Sequence, residues 1–260
     1  MSVVDLDAGL LQAVDRLAAV PSLLIALDFD GTISPVVDSP EAARALPEAA
    51  DALRRLAALP GTRVALVSGR SLESLERVSD AAADTLLVGS HGVEVRLDGA
   101  AELTLTPEER QRADELREAL EQAADPFDDV WVEVKPAGSA LHTRRATDDV
   151  RERAERAASA AAERFAGLTT RRGKNVLEFA VRSETKGQGV ERLREVTGAD
   201  AVLFAGDDVT DEDAFRVLGE TDLGLKVGEG DTAAAYRVDD PQSVARVLER
   251  LADRRAALNS

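Results

Sequence analysis

The sequence predicts an α/β protein with a doubly wound parallel sheet, interrupted by a second, smaller α/β domain. Two observations predict the core. Short, continuous apolar runs recur at 23–27, 64–67, 86–88 and 201–205, each ending in small or polar residues. Such runs suit strands covered on both faces, as in a parallel sheet. Stretches with apolar residues at helical spacing separate the earlier runs, giving the βαβ rhythm of a sheet whose ligands sit at its strands' carboxyl ends. A third observation predicts the insertion. Between about Val93 and Arg182 the strand-like segments alternate apolar and polar residues, as in an antiparallel sheet with one wet face.

The first twenty residues read as a helix and lack the basic start of a secretory signal. The run Leu23–Leu27 leads straight into Asp28-Phe29-Asp30-Gly31-Thr32. Carboxylates at i and i+2 on a strand end point to the same side. Like charges so close raise each other's pKa unless a cation or donors hold them. Gly31 allows a sharp turn and close approach of a ligand, and Thr32 adds a hydroxyl. A solvated acidic turn is the plain alternative.

Residues 40–59 predict a helix closed by Pro60-Gly61, and Val64–Val67 a strand ending in Ser68-Gly69-Arg70. A helix is expected over 72–83, then a strand ending in Gly89-Ser90-His91-Gly92. In the insertion, strands are expected near 93–97, 102–105, 130–134, 139–144 and 175–180, with charged helices near 107–124 and 147–165. Asp98-Gly99 fits a hairpin turn within it. The expected boundaries are 1–97 and 183–260 for the core and 98–182 for the insertion. The core resumes with a helix from Lys186 to about Val196 and the apolar run ending in Gly206-Asp207-Asp208. A helix over 211–218 with Thr210 as its N-cap follows, then strands at 223–227 and 236–238 and a helix over 241–254.

Composition bounds the chemistry. Of 260 residues, 44% are hydrophobic and 31% charged, which fits a soluble globular chain that can bury a sizeable core. No run approaches the roughly 18 apolar residues of a membrane span. A formal charge of −17 and a pI near 4.6 argue against nucleic acid or an anionic membrane as partners. Without cysteine there is no disulfide, thiolate nucleophile or Cys-ligated zinc, and a cytoplasmic location is the default. Only four basic residues are lysine, at 135, 174, 186 and 226, and a flexible point charge beside a phosphate is a reason to keep one.

The strand ends gather Asp28, Asp30, Thr32, Ser68, His91, Asp207 and Asp208, and the oxygens among them are the hard donors an octahedral Mg²⁺ takes. Asp211 to Asp213 also suit the positive end of a helix, whereas Asp207 and Asp208 precede the expected cap and capping does not require them. Lys186 opposes the dipole of the helix it opens, and Gly187 and Gly189 weaken that turn by roughly 1 kcal/mol each. Such local conflict marks a functional position, and an ammonium there can meet a phosphate. In the insertion, Lys174, Val176 and Glu178 share one strand face. On the expected strand near 139–144, His142 and Arg144 share a face that excludes Ser139 if the strand is regular.

The motifs DFDGT, VSGR, ETKG and GDDVTDED, in this order, resemble the four signatures of the haloacid dehalogenase superfamily of phosphatases. Within it the chain is similar to trehalose-6-phosphate phosphatases along nearly its whole length, through GSHGVE at 89–94, KPAGSALHTRR at 135–145, GKNVLE at 173–178 and GLKVGEGDTAA at 224–234. It departs from that pattern at Phe179-Ala180-Val181, where the family commonly has a hydrophobic residue and Arg-Pro, and at Thr143, often tyrosine.

The resemblance implies a HAD-like Rossmannoid core with a C2-type cap and hydrolysis of trehalose 6-phosphate, the last step of trehalose biosynthesis. It implies Asp28 as nucleophile and Asp30 as acid and base. Mg²⁺ would be held by the Asp28 carboxylate, the Asp30 carbonyl and Asp207, with Asp208 and Asp211 in support. Thr32, Ser68, Gly69 and Lys186 would bind phosphate, and Glu94, Lys135, Ser139, His142, Arg144, Lys174 and Glu178 the sugar. The expected partner is a small sugar phosphate bound by a monomer. Another capped phosphatase, acting on sucrose phosphate or a glycosyl-phosphoglycerate, is the nearest alternative. A receiver-like phospho-accepting module is a more distant one, against which the insertion and Asp30 speak.

Overall fold

The structure, a computed structural model, describes residues 6–258 except 38, 104, 174 and 183, and leaves aside the side chains of 101–103. It divides into two compact units, Met1–Glu102 with Thr185–Ser260, and Leu103–Glu184. In chain order the first unit carries α1 (Ala8–Ala18), β1 (Leu23–Leu27), α2 (Pro47–Ala57), β2 (Thr62–Val67), α3 (Leu72–Ser79), β3 (Leu86–Gly89), β4 (Glu94–Leu97) and β5 (Ala100–Leu103), the last reaching the boundary. The second carries α4 (Pro107–Ala124), β6 (Trp131–Lys135), β7 (Gly138–His142), α5 (Asp148–Ala162), β8 (Thr169–Gly173) and β9 (Val176–Ala180). The first unit resumes with α6 (Lys186–Thr197), β10 (Ala201–Gly206), α7 (Glu212–Arg216), β11 (Leu223–Val227), β12 (Tyr236–Val238) and α8 (Pro241–Leu258).

The large sheet runs β12-β11-β10-β1-β2-β3-β4-β5. Its first six strands are parallel, and β4 pairs antiparallel with β3. β1 sits where the winding reverses, with β2 on one side and β10 on the other, the switch point at which ligands of such sheets bind. All five of its side chains are buried, split between two cores on opposite faces.

In the second unit the four-stranded sheet β6-β7-β9-β8 is antiparallel. Leu141, Leu177 and Phe179 on one face pack with Leu116, Leu120, Ala154 and Ala158 of α4 and α5. Among the described residues no helix is long and apolar enough to cross a membrane.

Several elements differ from the sequence expectation. The helix over 40–59 breaks into a short 3₁₀ turn at Pro40–Ala42 and α2, because Pro47 forces Leu46 into extended backbone and itself opens the helix. The expected helix over 72–83 ends at Ser79, with Asp80 left-handed. The Asp98-Gly99 hairpin turn lies on the edge of the large sheet rather than within the insertion, with both residues at positive φ. Strand β8 was not anticipated, because its TTRRG carries no apolar signal.

Arg255 of α8 joins elements distant in sequence. It is 2% exposed. Nε donates to Thr62 Oγ1 (2.7 Å), Nη1 to the carbonyls of Ala18 (3.1 Å) and Val20 (2.6 Å), and Nη2 to those of Pro21 (3.1 Å), Pro60 (3.3 Å) and Gly61 (2.8 Å). Arg255→Met would remove all these bonds and leave the buried Thr62 hydroxyl and Ala18 carbonyl without the guanidinium. The expected loss is roughly 2–5 kcal/mol of stability in urea unfolding.

Candidate active site

The loop after β1 turns at Gly31, which has φ of 79° and so close a neighbour in Asp207 that a Cβ there would lie 2.1 Å from its Oδ2. This close approach brings Asp28 and Asp207 together. Lys186 is placed by a capping box: Thr185 Oγ1 accepts from Gln188 N, and Gln188 Oε1 from Thr185 N. Its ammonium is 3% exposed and donates to Asp28 Oδ1 and Asp211 Oδ1, both at 2.7 Å. Gly187 and Gly189 have a packing reason as well. A Cβ at Gly187 would lie 2.5 Å from the Asp213 carbonyl oxygen, and one at Gly189 3.0 Å from Val88 Cγ1.

Carboxylate oxygens of Asp28, Asp207 and Asp211 all lie within 4.8 Å of one another, around one ammonium. The shortage of positive charge shows in the ionisation of Asp28 and Asp207. Burial pushes the Asp28 carboxyl up from 3.8 to about 7; Lys186 opposes the shift, and Asp211 and Asp207 add to it. Asp207 is raised by burial and by Asp211. Lys186 is raised because Asp28 and Asp211 outweigh its own burial.

A dication fits this donor set. The ligands are hard oxygens, the approach of Gly31 holds two of them together, and their mutual repulsion needs a counter-charge. Asp28 and Asp207 could hold one. The Asp211 carboxylate is already engaged, by Lys186 at one oxygen and by the Asp208 N–H (2.8 Å) at the other.

Other expected residues fall into place differently. Thr32, expected to bind phosphate, is fully buried. Its hydroxyl lies 3.3 Å from Asp28 Oδ2 and 3.4 Å from Asp207 Oδ1, so it supports the carboxylates. Asp208 is exposed and caps the turn at Val209–Asp211 with Asp211 as its reciprocal partner. That cap was expected at Thr210, and capping does use Asp208 after all.

Ser68 is 2% exposed and its Oγ accepts from Arg70 N (3.2 Å), leaving the hydroxyl proton to donate. Gly69 is tight against His91, whose Cε1 would lie 2.6 Å from a Cβ. Glu94 Oε2 accepts from Leu72 N (3.0 Å) and Ser90 Oγ (2.7 Å), which ties down the residues after Ser68.

Two residues were missed. Arg70 donates to both oxygens of Asp30, and Lys226, 4% exposed, donates to the Asp207 carbonyl. The scarcity of lysine was a signal for Lys226. Nothing local marked Arg70 beyond its position after Ser68-Gly69. Asp28, Asp30, Ser68, Arg70, Lys186 and Asp207 line one cleft of about 300 Å³.

In the second unit, Trp131, Glu133 and Lys135 share the sheet face opposite the helices, across from His142, Ala140 and Gly138. Glu178 lies beside Ala140 on the next strand. Glu133 joins the cluster, accepting from Lys135 Nζ (2.6 Å) and pairing with His142 Nε2 (2.7 Å). The His142 ring stacks on Trp131 at 5.0 Å.

Ser139, expected to contact sugar, is fully buried on the opposite face with its hydroxyl unpaired, because β7 alternates regularly. Arg144 is exposed beyond the strand end, and Lys174 lies outside the described residues.

Asp28 carries a stability prediction for metal-free protein. Its folded pKa is about 7 against 3.8 unfolded, so the folded state binds the extra proton and stability falls as pH rises between those values. Asp28→Asn removes this penalty. In chelator it is expected to be more stable than the parent at pH 8 by on the order of 1–3 kcal/mol, and little changed at pH 4. Urea unfolding at both pH values checks this.

Comparison with known proteins agrees with this geometry. The trehalose-phosphatase family profile matches residues 26–242. The chain is 35% identical over 236 residues to a bifunctional trehalose-6-phosphate synthase/phosphatase of Thermoproteus tenax, covering 88% of this chain and 32% of that protein. It is 36% identical over 243 residues to a trehalose-phosphate phosphatase of Mycobacterium tuberculosis, covering 86% and 60%. The chain thus spans about a third and three-fifths of these relatives' lengths.

A solved trehalose-6-phosphate phosphatase of Aspergillus fumigatus superposes with a TM-score of 0.69 at 25% identity, covering 95% of this chain and 98% of that one. The fold is shared with a solved sugar phosphatase of the haloacid dehalogenase superfamily, which superposes with a TM-score of 0.55 at 14% identity. A profile match across most of the chain and a shared fold place it, and the chain belongs to the trehalose-phosphatase family.

Proposed function

We propose that the chain is a Mg²⁺-dependent phosphatase that hydrolyses trehalose 6-phosphate to trehalose and phosphate through an aspartyl-phosphate. The observation that carries the reading is the unlike treatment of two neighbouring carboxylates. Asp28 is buried on an ammonium, while Asp30 is turned to the cleft wall and a guanidinium.

An Asp28 oxygen attacks phosphorus, the P–O bond to the sugar breaks, and the electron pair on the departing oxygen takes a proton from Asp30. Water then attacks the aspartyl-phosphate and gives its proton to Asp30, and the bond to Asp28 breaks. Ser68 and Lys186 hold phosphate oxygens, and Gly69 leaves room beside them.

Mg²⁺, held by the Asp28 and Asp207 carboxylates and the Asp30 carbonyl, would supply charge neutralisation of the phosphoryl group. Asp211 and Asp208 order that loop, Asp208 by capping and Asp211 through Lys186. Lys135, His142 and Glu178, with Glu133, are the sugar contacts this reading favours, on the polar face of the small sheet. Residues 98–182 are proposed to act as the cap, excluding water when closed.

Phosphate release from a panel of sugar phosphates, with and without chelator, tests the substrate. Hydrolysis of trehalose 6-phosphate that chelator stops is expected. Turnover of sucrose phosphate or a glycosyl-phosphoglycerate with trehalose 6-phosphate untouched would overturn the substrate assignment.

A further inference from the structure

Asp30 is gripped by a residue that the chemistry above does not use. Arg70 approaches it side-on, with Nε donating to Oδ2 at 2.5 Å and Nη2 to Oδ1 at 2.7 Å. Two parallel N–H···O bonds fix the plane of a carboxylate as well as its distance, which a single ammonium cannot do.

The guanidinium is itself held. Nη1 donates to Ser74 Oγ at 3.3 Å, the guanidinium carbon lies 5.9 Å from the centroid of the Phe29 ring, and the side chain is only 12% exposed. The main-chain N–H of the same residue donates to Ser68 Oγ. One residue therefore ties together the hydroxyl and the carboxylate on this wall of the cleft, although Asp30 and Arg70 are 40 positions apart.

We propose that Arg70 is a positioning residue for the proton-transferring carboxylate. Its fork sets the rotamer from which Asp30 meets the departing sugar oxygen and then the attacking water. The inference rests on the reading of Asp30 as the acid and base. With both oxygens occupied, one arm of the fork slackens when Asp30 shares its proton, while the other arm still fixes the plane. Among the described residues no other hydrogen bond holds the Asp30 carboxylate, and a misplacement of about 1 Å in such a group costs roughly 10²-fold.

The test compares Arg70→Ala and Arg70→Lys with the parent in transfer of phosphate to Asp28, using trehalose 6-phosphate and p-nitrophenyl phosphate. A nitrophenolate leaves without a proton, so its departure does not need Asp30. On the sugar phosphate, kcat of Arg70→Ala is expected to fall roughly 10- to 100-fold with KM within about twofold. Transfer from the aryl phosphate should fall less than about threefold. Added guanidinium ion should restore part of the lost rate, and Arg70→Lys should recover little, since it returns the charge without the fork.

A raised KM with kcat intact would make Arg70 a substrate ligand. An equal loss on both esters, or no rescue by guanidinium, would reduce it to a support of the loop. Either result overturns the proposal. Should Arg70→Ala fail to fold in a thermal scan, Arg70→Gln replaces it with the same expectations. Trehalose 6-phosphate left intact by the parent would sink the substrate assignment alone, and the comparison would then run on the sugar phosphate that is hydrolysed.

Discussion

Asp28→Asn is expected to lower phosphate release by roughly 10⁴-fold or more, the scale seen when a nucleophile is deleted. An amide of the same shape can still accept from Lys186, so the substitution should leave the fold intact and, without metal, strengthen it. Loss of activity together with gain of stability would be hard to obtain from a residue that merely caps a strand. It is the pattern expected where a strained charge is kept for chemistry. Steady-state release and urea unfolding of the same preparation check both halves. Activity close to that of the parent would remove Asp28 from the mechanism.

Lys186→Met carries the second large effect, on rate and stability together. A buried ammonium that meets developing charge is worth roughly 10²–10⁴ in kcat. Its removal also leaves Asp28 and Asp211 buried without their cation, which costs about 3–5 kcal/mol when both are ionised. The sign with pH follows. Without Lys186, which opposes the rise, the Asp28 carboxyl holds its proton to still higher pH in the folded state, so the variant loses stability as pH rises. The contribution of Lys186 itself, whose folded pKa lies above the ordinary lysine value of 10.5, is fully present below that value and is lost only above its folded pKa. Urea unfolding in chelator at pH 5 and pH 8 should show the larger deficit at pH 8. An equal deficit at both would mean that Lys186 contributes packing rather than charge.

The large sheet was legible because its central strands are uniformly apolar, and a run such as Leu23–Leu27 has no other place to go than a doubly covered sheet. The same reading fails at β8, where an exposed, polar strand owes its existence to pairing with β9 and not to its own residues. Pro47 was a local signal overlooked inside a helical pattern.

At the site, Lys186 stood out because its helix start disfavours a cation, and the structure supplies the compensation in Asp28 and Asp211. The glycines beside it looked like a functional conflict, yet they admit the Asp213 carbonyl and Val88. Parity already separated Ser139 from His142, and the regular strand keeps them apart. Arg70 and Lys226 were not legible, because each acts on a group distant in sequence, and only the folded chain brings a guanidinium to Asp30 or an ammonium to the Asp207 carbonyl.

The covalent intermediate is the centre of the account, and Asp30→Asn gives the most direct access to it, since it removes the group that activates water while leaving Asp28 in place. After a short incubation with Mg²⁺ and p-nitrophenyl phosphate, whose leaving group needs no proton from Asp30, and an acid quench, peptide mapping by mass should find one phosphoryl group on the peptide bearing Asp28. The label should be absent with chelator and absent when Asp28→Asn is added. A phosphoryl group on another residue, or rapid phosphate release with no label on Asp28 at any time, would contradict it.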